Sequence, residues 1–240
     1  MQRFYIPYVI ENPCKLGAEE SWHCVKVLRL KAGDHIELSD GHGSLYKAEI
    51  QEASPKACIL NILEQHKETA AKWELHVAIA PTKNLARMEW LVEKLTEIGV
   101  TEIIPFAAHH SERKVLKTDR LKKITIEAMK QSGRTYLPFV RELVSYSEMI
   151  KTLKDFKGDK FILHCMDKEL STFQQSYKKG NNALVLIGPE GDFNNMEAQE
   201  AIGHGFVPIT LGTVRYRTET AALVAACTLH AAQFTFLKPL

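Results

Sequence analysis

The chain has 240 residues, enough for one large domain or two modest ones, and its hydrophobic (45%) and charged (25%) shares are ordinary for a soluble globular protein. A formal net charge of +2 does not by itself indicate a polyanionic partner, and five scattered cysteines without a C-x-x-C pair indicate no disulfide framework or zinc site. Because the chain shows no signal peptide and no apolar run of transmembrane length, we expect a cytoplasmic protein that does not bind a membrane. The scattered cysteines lead us to expect no bound metal.

The first seventy residues are predicted to form a small β-rich unit. Short β-prone runs fall at 3–6, 35–38, 45–51 and 56–63, and Asp40-Gly41-His42-Gly43 is a good hairpin turn between two of them. One helix is expected over residues 18–30, ending at the turn Lys31-Ala32-Gly33-Asp34. The polar segment 64–72 then marks a boundary, so we predict a first domain over residues 1–70 and a second over 73–240.

From Trp73 onward, predicted strands and helices alternate. The strands are expected at 74–80, 103–106, 161–165, 183–187 and 206–211. The helices are expected at 84–98, at 119–131, after capping boxes that start at Ser145 and Asn194, and at 219–236. This alternation predicts an α/β fold, in which a parallel sheet carries helices on both faces.

The last predicted helix is apolar or small on all sides between Ala221 and Phe234. A helix of this kind is buried all round, either in the core of its own domain or against a second subunit. We favour the second reading and expect a homodimer formed through this C-terminal helix.

A basic segment runs from His109 to Arg134, with eight basic residues against three acidic ones and a local net charge of +5. Such a patch can hold phosphates, although a run of charge is also typical of a solvated helix face. Both readings stay open at this point.

Two glycine-containing loops are the strongest functional signal. Each leaves a predicted strand and opens a helix, the first at 187–193 (Ile-Gly-Pro-Glu-Gly-Asp-Phe) and the second at 211–221 (Leu-Gly-Thr-Val-Arg-Tyr-Arg-Thr-Glu-Thr-Ala). Open α/β sheets place ligands at the carboxyl ends of their strands, so we expect one site lined by the backbone of both loops. Glu190 and Glu219 favour a cationic ligand such as a sulfonium, whereas each loop alone is also consistent with a simple turn. No phosphate-binding G-x-x-x-x-G-K-[ST], dinucleotide G-x-G-x-x-G, G-x-S-x-G or H-E-x-x-H motif is present.

These loops carry a resemblance to a known family. Gly-Pro-Glu-Gly followed by Leu-Gly-x-x-x-x-Arg-Thr-Glu-Thr-Ala resembles the SPOUT methyltransferases with a C-terminal trefoil knot, and more narrowly the ribosomal small-subunit RNA uridine-N3 methyltransferases (RsmE). Motifs in chain order extend the match to nearly the whole chain: His23-x-x-x-Val27-Leu28-Arg29 with Gly33-Asp34, Lys94-x-x-Glu97-Ile98-Gly99-Val100, Ser111-Glu112-Arg113, Glu127-Ala128, Gln131-Ser132-Gly133-Arg134 and Pro138. The resemblance implies an N-terminal PUA-like β-barrel that binds RNA and a SPOUT-type parallel sheet with a trefoil knot.

The resemblance also implies S-adenosylmethionine as cofactor and N3 of a specific uridine in 16S ribosomal RNA of the small ribosomal subunit as methyl acceptor. The cofactor would lie among three loops and contact Leu163, His164, Ile187, Gly188, Pro189, Glu190, Gly191, Leu211, Gly212, Val214, Tyr216, Arg217, Thr218, Thr220 and Ala221. Because N3 must lose an imide proton, we expect Arg217 or Arg134 to stabilise the uridine anion and Glu219 or Gln131 to orient it. Glu219 could instead serve only the dipole of its helix. The residues expected to grip RNA phosphates are Arg3, Arg29, Arg113 and Lys114.

Two departures from the family pattern are visible. Asp192 stands where the family usually has a second glycine after Gly-Pro-Glu-Gly, and Val214-Arg215-Tyr216-Arg217 replaces the usual Arg-Ile-Leu-Arg. Any role of the family's first arginine therefore cannot be carried to this chain. The alternatives are another knotted RNA methyltransferase, acting on ribose 2′-hydroxyls or transfer RNA, and a non-enzymatic RNA-binding module.

Overall fold

The structure is a computed structural model that describes residues 1–7, 11–164 and 170–234. Its contacts divide the chain into two units. Unit 1 comprises Met1–Ala70 together with Ile126–Leu137, and unit 2 comprises Ala71–Thr125 together with the chain from Pro138 onward. The segment 126–137, which the sequence analysis assigns to the second domain, thus groups with the first seventy residues.

Unit 1 is built on a five-stranded sheet in the order β1-β3-β4-β5-β2, as expected for a β-rich unit. Its strands are β1 (Arg3–Tyr5), β2 (Cys14–Lys15), β3 (His35–Ser39), β4 (Ser44–Glu52) and β5 (Ile59–Lys67). The predicted hairpin turn joins β3 to β4, because the Oδ1 atom of Asp40 accepts hydrogen bonds from the backbone N–H groups of His42 (2.7 Å) and Ser44 (2.9 Å). The buried faces of these strands enclose the core of the unit.

Two expectations for unit 1 need correction. β5 does not end at residue 63 but runs to Lys67, since the polar residues 64–67 pair with residues 44–47 of β4. The helix expected over 18–30 is an α-helix, α1 (Ala18–Trp22), followed by a π-helical turn (His23–Val27). It ends earlier because Arg29 adopts a left-handed backbone (φ 57°) that no helix can continue.

Unit 2 alternates strands and helices, which confirms the predicted α/β class. Its strands are β6 (Leu75–Ile79), β7 (Glu102–Ala107), β8 (Phe139–Val140), β9 (Val144–Ser145), β10 (Asp159–Leu163), β11 (Ala183–Ile187) and β12 (Val207–Ile209). Its helices are α2 (Leu85–Ile98), α4 (Tyr146–Leu153), α5 (Phe173–Ser176), α6 (Asn195–Gly203) and α7 (Thr218–Gln233), while α3 (Thr118–Ser132) spans the division between the units. The main sheet is parallel, in the order β12-β10-β11-β6-β7-β8, with β9 also paired to β7.

The two faces of this sheet bury different helices. Side chains of α2 and α7 share one core with Leu75, Val77 and Ile79 of β6, and side chains of α4 and α6 share the other with Ala78 and Ala80. The alternation of side chains along a strand sends these two sets to opposite faces. Helices on both faces leave the carboxyl ends of the strands as the open edge for a ligand.

Helix ends follow the local signals in the sequence. Asn84 caps α2 through a bond from the backbone N–H of Ala86 to its Oδ1 atom, and Gly99 ends the helix with a left-handed backbone (φ 94°). The capping box of α6 joins Asn194 and Glu197 in both directions, whereas at α4 the Oγ atom of Ser145 accepts from the backbone N–H of Glu148.

Several strand and helix bounds differ from prediction. Strand β10 begins at Asp159, and β12 is short, because Thr210 leaves the ladder and its backbone N–H donates to the carbonyl of Ser171. Cys165 of the predicted strand and residues 235–236 of the predicted last helix lie outside the described residues. The trefoil knot that the resemblance implies stays a prediction.

Within one chain, α7 buries one face. Ala222, Ala225, Ala226 and Leu229 are fully buried in the core that α7 shares with α2, whereas Cys227 is exposed. Among the described residues, no helix is both long enough and apolar enough to span a membrane.

Candidate functional site

A cavity of about 640 Å³ lies in unit 2, at the carboxyl ends of β10, β11 and β12. This volume is within the range of small-molecule and cofactor sites. The lining residues come from the ends of these strands, the loops after them and the start of α7: Leu163, His164, Leu170, Ile187, Gly188, Pro189, Glu190, Asp192, Ile209, Thr210, Leu211, Gly212, Thr213, Val214, Arg215, Tyr216, Arg217, Thr218 and Ala221. The two loops singled out in the sequence therefore form one site.

The loop after β11 is shaped by a tight turn and by close packing. The backbone N–H of Asp192 donates to the carbonyl of Pro189 (2.9 Å), which closes the turn. A Cβ atom at Gly188 would lie 3.0 Å from the ring of Phe193, so only glycine fits there without displacing that buried side chain. The Oε1 atom of Glu190 accepts from the backbone N–H of Lys83 (3.0 Å), which ties this loop to the one after β6.

The loop after β12 is more open. Its residues from Gly212 to Arg217 are exposed, and Gly212 has a left-handed backbone (φ 116°). Helix α7 starts immediately afterwards, with Arg217 as its N-terminal cap residue, whose side chain forms no capping hydrogen bond. Since Arg217, Thr218 and Ala221 line the cavity, the positive end of the α7 dipole is next to the ligand space.

The predicted cofactor residues are brought together almost completely. All of them line the cavity except Gly191 and Thr220. Gly191 is exposed and lies beside His110: a Cβ atom added to this glycine would be 3.0 Å from the Cβ atom of His110. The prediction missed some lining residues, among them Asp192, Thr213 and Arg215. These three lie inside the two loops, so their position next to predicted cofactor residues in the sequence could have indicated them.

A pair of lining side chains that the sequence did not connect lies at the base of the first loop. The Nδ1 atom of His164, which follows β10, is 2.9 Å from the Oδ1 atom of Asp192, which follows β11. Their side chains are 8% and 21% exposed, and the ring of His164 also lies edge-on to Phe193 at 6.3 Å. Residues separated by 28 positions in the chain become partners only because β10 and β11 are neighbours in the sheet.

Of the four residues expected to act in catalysis, Arg217 and Glu219 lie at the start of α7. Arg217 is exposed and lines the cavity, whereas Glu219 is buried and does not. The Oε1 atom of Glu219 is 3.6 Å from the Nε atom of Arg87 on α2, and its Oε2 atom has no hydrogen-bond partner among the described residues. Glu219 therefore combines a place in the first turn of α7 with an ion pair to α2.

The other two, Gln131 and Arg134, belong to unit 1. Gln131 is exposed. Arg134 is half-buried, and burial lowers the pKa of its guanidinium against the opposing effect of Glu68. The carbonyl of Arg134 accepts a long bond from the Nη1 atom of Arg3 (3.4 Å).

The residues expected to bind RNA phosphates differ in their exposure and in their contacts within the chain. Arg29 and Lys114 are exposed. Arg3 is 14% exposed at its side chain and forms an ion pair with Glu37 (2.9 Å). Arg113 donates to the backbone carbonyls of Thr82 (3.2 Å) and Lys83 (2.7 Å), so its guanidinium holds a loop of unit 2.

Ion pairs neutralise part of the basic segment. Arg120 pairs with Glu89 at 2.6 Å, and Lys122 pairs with Glu142 at 2.6 Å, both in unit 2. The segment's net charge in the sequence thus overstates the charge that it offers to a polyanion, because these two cations, and also Lys130 through its ion pair with Glu20 (2.8 Å), have carboxylate partners from other parts of the chain. Among the described residues, no group of three or more histidine, cysteine, aspartate or glutamate side chains could hold a metal ion.

Comparison with known proteins adds an independent finding. Residues 69–230 match the model of an RNA methyltransferase domain, and residues 16–63 match that of an RNA methyltransferase PUA domain. The chain is 30% identical over 246 aligned positions to ribosomal RNA small subunit methyltransferase E of Bacillus subtilis, covering 94% of each chain.

Two solved structures are similar over nearly the whole chain. A probable rRNA-methyltransferase from Porphyromonas gingivalis is 38% identical, with a TM-score of 0.89 and coverage of 97% of this chain and 98% of that one. Ribosomal RNA small subunit methyltransferase E from Neisseria gonorrhoeae, solved bound to S-adenosylmethionine, is 26% identical, with a TM-score of 0.86 and coverage of 99% and 100%. These similarities include both units.

Proposed function

The chain belongs to the family of ribosomal RNA small subunit methyltransferase E, and we propose that it transfers a methyl group from S-adenosylmethionine to ribosomal RNA of the small subunit. The observation that carries this proposal is the cavity at the ends of β10, β11 and β12, which the predicted cofactor residues line. A relative of matching fold has been solved with this cofactor bound. A ribosomal RNA substrate is consistent with a cytoplasmic protein.

The residues of the cavity fit the chemistry of this cofactor. Its volume suits a nucleoside with an amino-acid tail, and apolar walls from Leu163, Ile187 and Ile209 suit an adenine ring. The start of α7, where the side chain of Arg217 forms no cap, favours the tail's carboxylate, and the carboxylate of Glu190 favours the cationic groups of the cofactor. When bound, S-adenosylmethionine would supply an electrophilic methyl group on a sulfonium centre.

The finer proposal is that the acceptor is N3 of a specific uridine in 16S ribosomal RNA. N3 is on the Watson–Crick edge, so the uridine must be unpaired or turned out of its stack. Arg217 is exposed at the cavity and would stabilise negative charge on the pyrimidine oxygens as the imide proton leaves. Glu219 would hold the start of α7 through its ion pair with Arg87, while the roles expected of Gln131 and Arg134 stay predictions.

We further propose that exposed cations contact the RNA backbone. Arg29 and Lys114 are the two of the four expected residues whose side chains the structure leaves exposed, so they would contact phosphates directly. Arg3 and Arg113 already donate within the chain, and they would contribute to the local potential rather than to direct contacts.

A homodimer through α7 is part of the same proposal. Leu223 and Val224 of this helix are only half-buried within the chain, although both are strongly apolar. Their burial against a second copy would complete the apolar surround that the helix sequence indicates. Light scattering should give twice the chain mass, and Leu223→Glu should convert the protein to a monomer; a monomeric wild-type protein contradicts this part.

The experiment that tests the activity is methyl incorporation from labelled S-adenosylmethionine into small ribosomal subunits that lack the modification, followed by nucleoside analysis. We expect the label in N3-methyluridine. Label in a ribose or in transfer RNA contradicts the finer proposal, and no label with any RNA, together with no cofactor binding, favours a non-enzymatic RNA-binding module.

The role of Arg217 is tested by Arg217→Ala in the same assay. Removal of one group that stabilises developing charge should slow transfer by about a hundredfold or more, while the fold remains. Arg120→Ala, which removes another exposed arginine of unit 2, is the control and should retain activity. Near-wild-type turnover by Arg217→Ala contradicts the assignment.

A further inference from the structure

Asp192 combines a disfavoured backbone with a fixed side chain. It and Arg29 are the non-glycine residues with positive φ in the described part of the chain, and Asp192 has φ 62°. Aspartate tolerates this conformation better than most residues, but glycine adopts it at less cost. A residue kept in such a conformation at a ligand cavity suggests that its side chain serves a purpose there.

Hydrogen bonds to neighbouring described residues hold the side chain of Asp192 in place. Its Oδ1 atom accepts from its neighbour's backbone N–H, that of Phe193, at 2.8 Å, and it is 2.9 Å from the Nδ1 atom of His164. Phe193 is itself buried against Phe106, which makes the first of these bonds a rigid anchor. The carboxylate therefore reaches from the loop after β11 to the histidine after β10 with a fixed geometry.

This contact determines how His164 is presented to the cavity. A neutral imidazole that donates from Nδ1 to a carboxylate keeps its proton on Nδ1 and leaves Nε2 as an acceptor. The ring lines the cavity and is held from a second side by Phe193. S-adenosylmethionine offers hydroxyl, amino and ammonium donors to such an acceptor.

We propose that Asp192 is a positioning residue for the cofactor: it fixes the ring orientation and tautomer of His164 so that Nε2 accepts a hydrogen bond from S-adenosylmethionine. This inference rests on the proposed function, because it takes the cavity as the cofactor site. It assigns to Asp192 a role that a glycine at the same place could not fulfil.

The test is isothermal titration of the wild-type protein and three variants with S-adenosylmethionine, with thermal unfolding measured in parallel. Asp192→Gly permits the same backbone but removes the bond to His164, and it should raise the Kd about tenfold without lowering the unfolding temperature. Asp192→Asn keeps an oxygen that can accept from Nδ1 and should keep the Kd within about threefold of wild type. His110→Ala removes a histidine whose Nδ1 atom is 3.1 Å from the backbone oxygen of Asp192, and it should leave the Kd unchanged.

A double mutant separates an indirect role from a direct one. If Asp192 acts through His164, Asp192→Gly added to His164→Ala should weaken binding less than twofold beyond His164→Ala alone. A full tenfold further loss would show that the carboxylate acts on the ligand directly and would overturn the inference. Unchanged affinity in Asp192→Gly, or an equal loss in His110→Ala, would overturn it as well. Absence of binding by the wild-type protein would instead refute the cavity as the cofactor site.

Discussion

Gly188 is the residue of the cavity whose replacement has the most direct physical consequence. In Gly188→Ala the new Cβ atom would lie 3.0 Å from two carbons of the Phe193 ring, closer than ordinary van der Waals contact. Phe193 cannot easily move away, because it is 4% exposed and stacks on Phe106 at 6.1 Å with Tyr146 at 6.2 Å. Overpacking of this kind typically costs about 1–3 kcal/mol of stability.

Urea denaturation at fixed pH measures this loss, and titration with S-adenosylmethionine measures its effect on the site. We expect Gly188→Ala to lose about 1–3 kcal/mol in the free energy of unfolding and to bind cofactor more weakly, because the loop after β11 must shift. Gly203→Ala is the matched control: a Cβ at Gly203 meets nothing within 4 Å, and alanine there should be neutral or stabilising by up to about 1 kcal/mol. A Gly188→Ala protein as stable as Gly203→Ala, with unchanged affinity, would refute the packing argument.

Two further predictions concern stability. Burial opposes the charge of His76, but hydrogen bonds to Glu102 and Glu74 outweigh the effect of burial and raise the pKa of His76. For Glu102, burial would raise the pKa, but hydrogen bonds to His76 and to an arginine outweigh it and lower the pKa of Glu102. The stability that His76 contributes to the folded state is therefore complete below its ordinary pKa near 6.5 and is lost as pH rises through the raised pKa. The stability that Glu102 contributes is lost as pH falls through its lowered pKa. Unfolding titrations from pH 4 to 9 should show His76→Gln losing the alkaline-side decline; an unchanged profile contradicts this. Asn194→Ala removes the cap that bonds the backbone N–H of Glu197 (2.8 Å) and should cost about 1 kcal/mol in urea denaturation, whereas Asn194→Ser should retain most of it.

Local signals in the sequence were sufficient for the elements that local chemistry determines. Helix α2 begins after Asn84 and ends at Gly99 as predicted, since a cap and a left-handed glycine act within one turn of the chain. The buried strand β11 also has the predicted bounds, because a fully apolar run between turns has few alternatives. The two glycine-containing loops each follow a predicted strand directly, and this local signal was sufficient to indicate the cavity.

Features that depend on distant contacts could not be predicted in this way. The polar residues 64–67 join β5 because β4 is long enough to pair with them, which no local propensity reveals. The π-helical turn at His23–Val27 places Cys24 in the core of unit 1, among residues that are distant in the sequence. The bond between His164 and Asp192 requires that β10 and β11 be neighbours in the sheet.

The central claim is that the loops after β10, β11 and β12 hold S-adenosylmethionine, and a crystal structure of this protein with that molecule tests it most directly. We predict electron density for the cofactor between Gly188 and the start of α7, with one of its donor groups within hydrogen-bond distance of the Nε2 atom of His164. Density at another place on the protein, or a protein that binds no cofactor at saturating concentration, would contradict the claim.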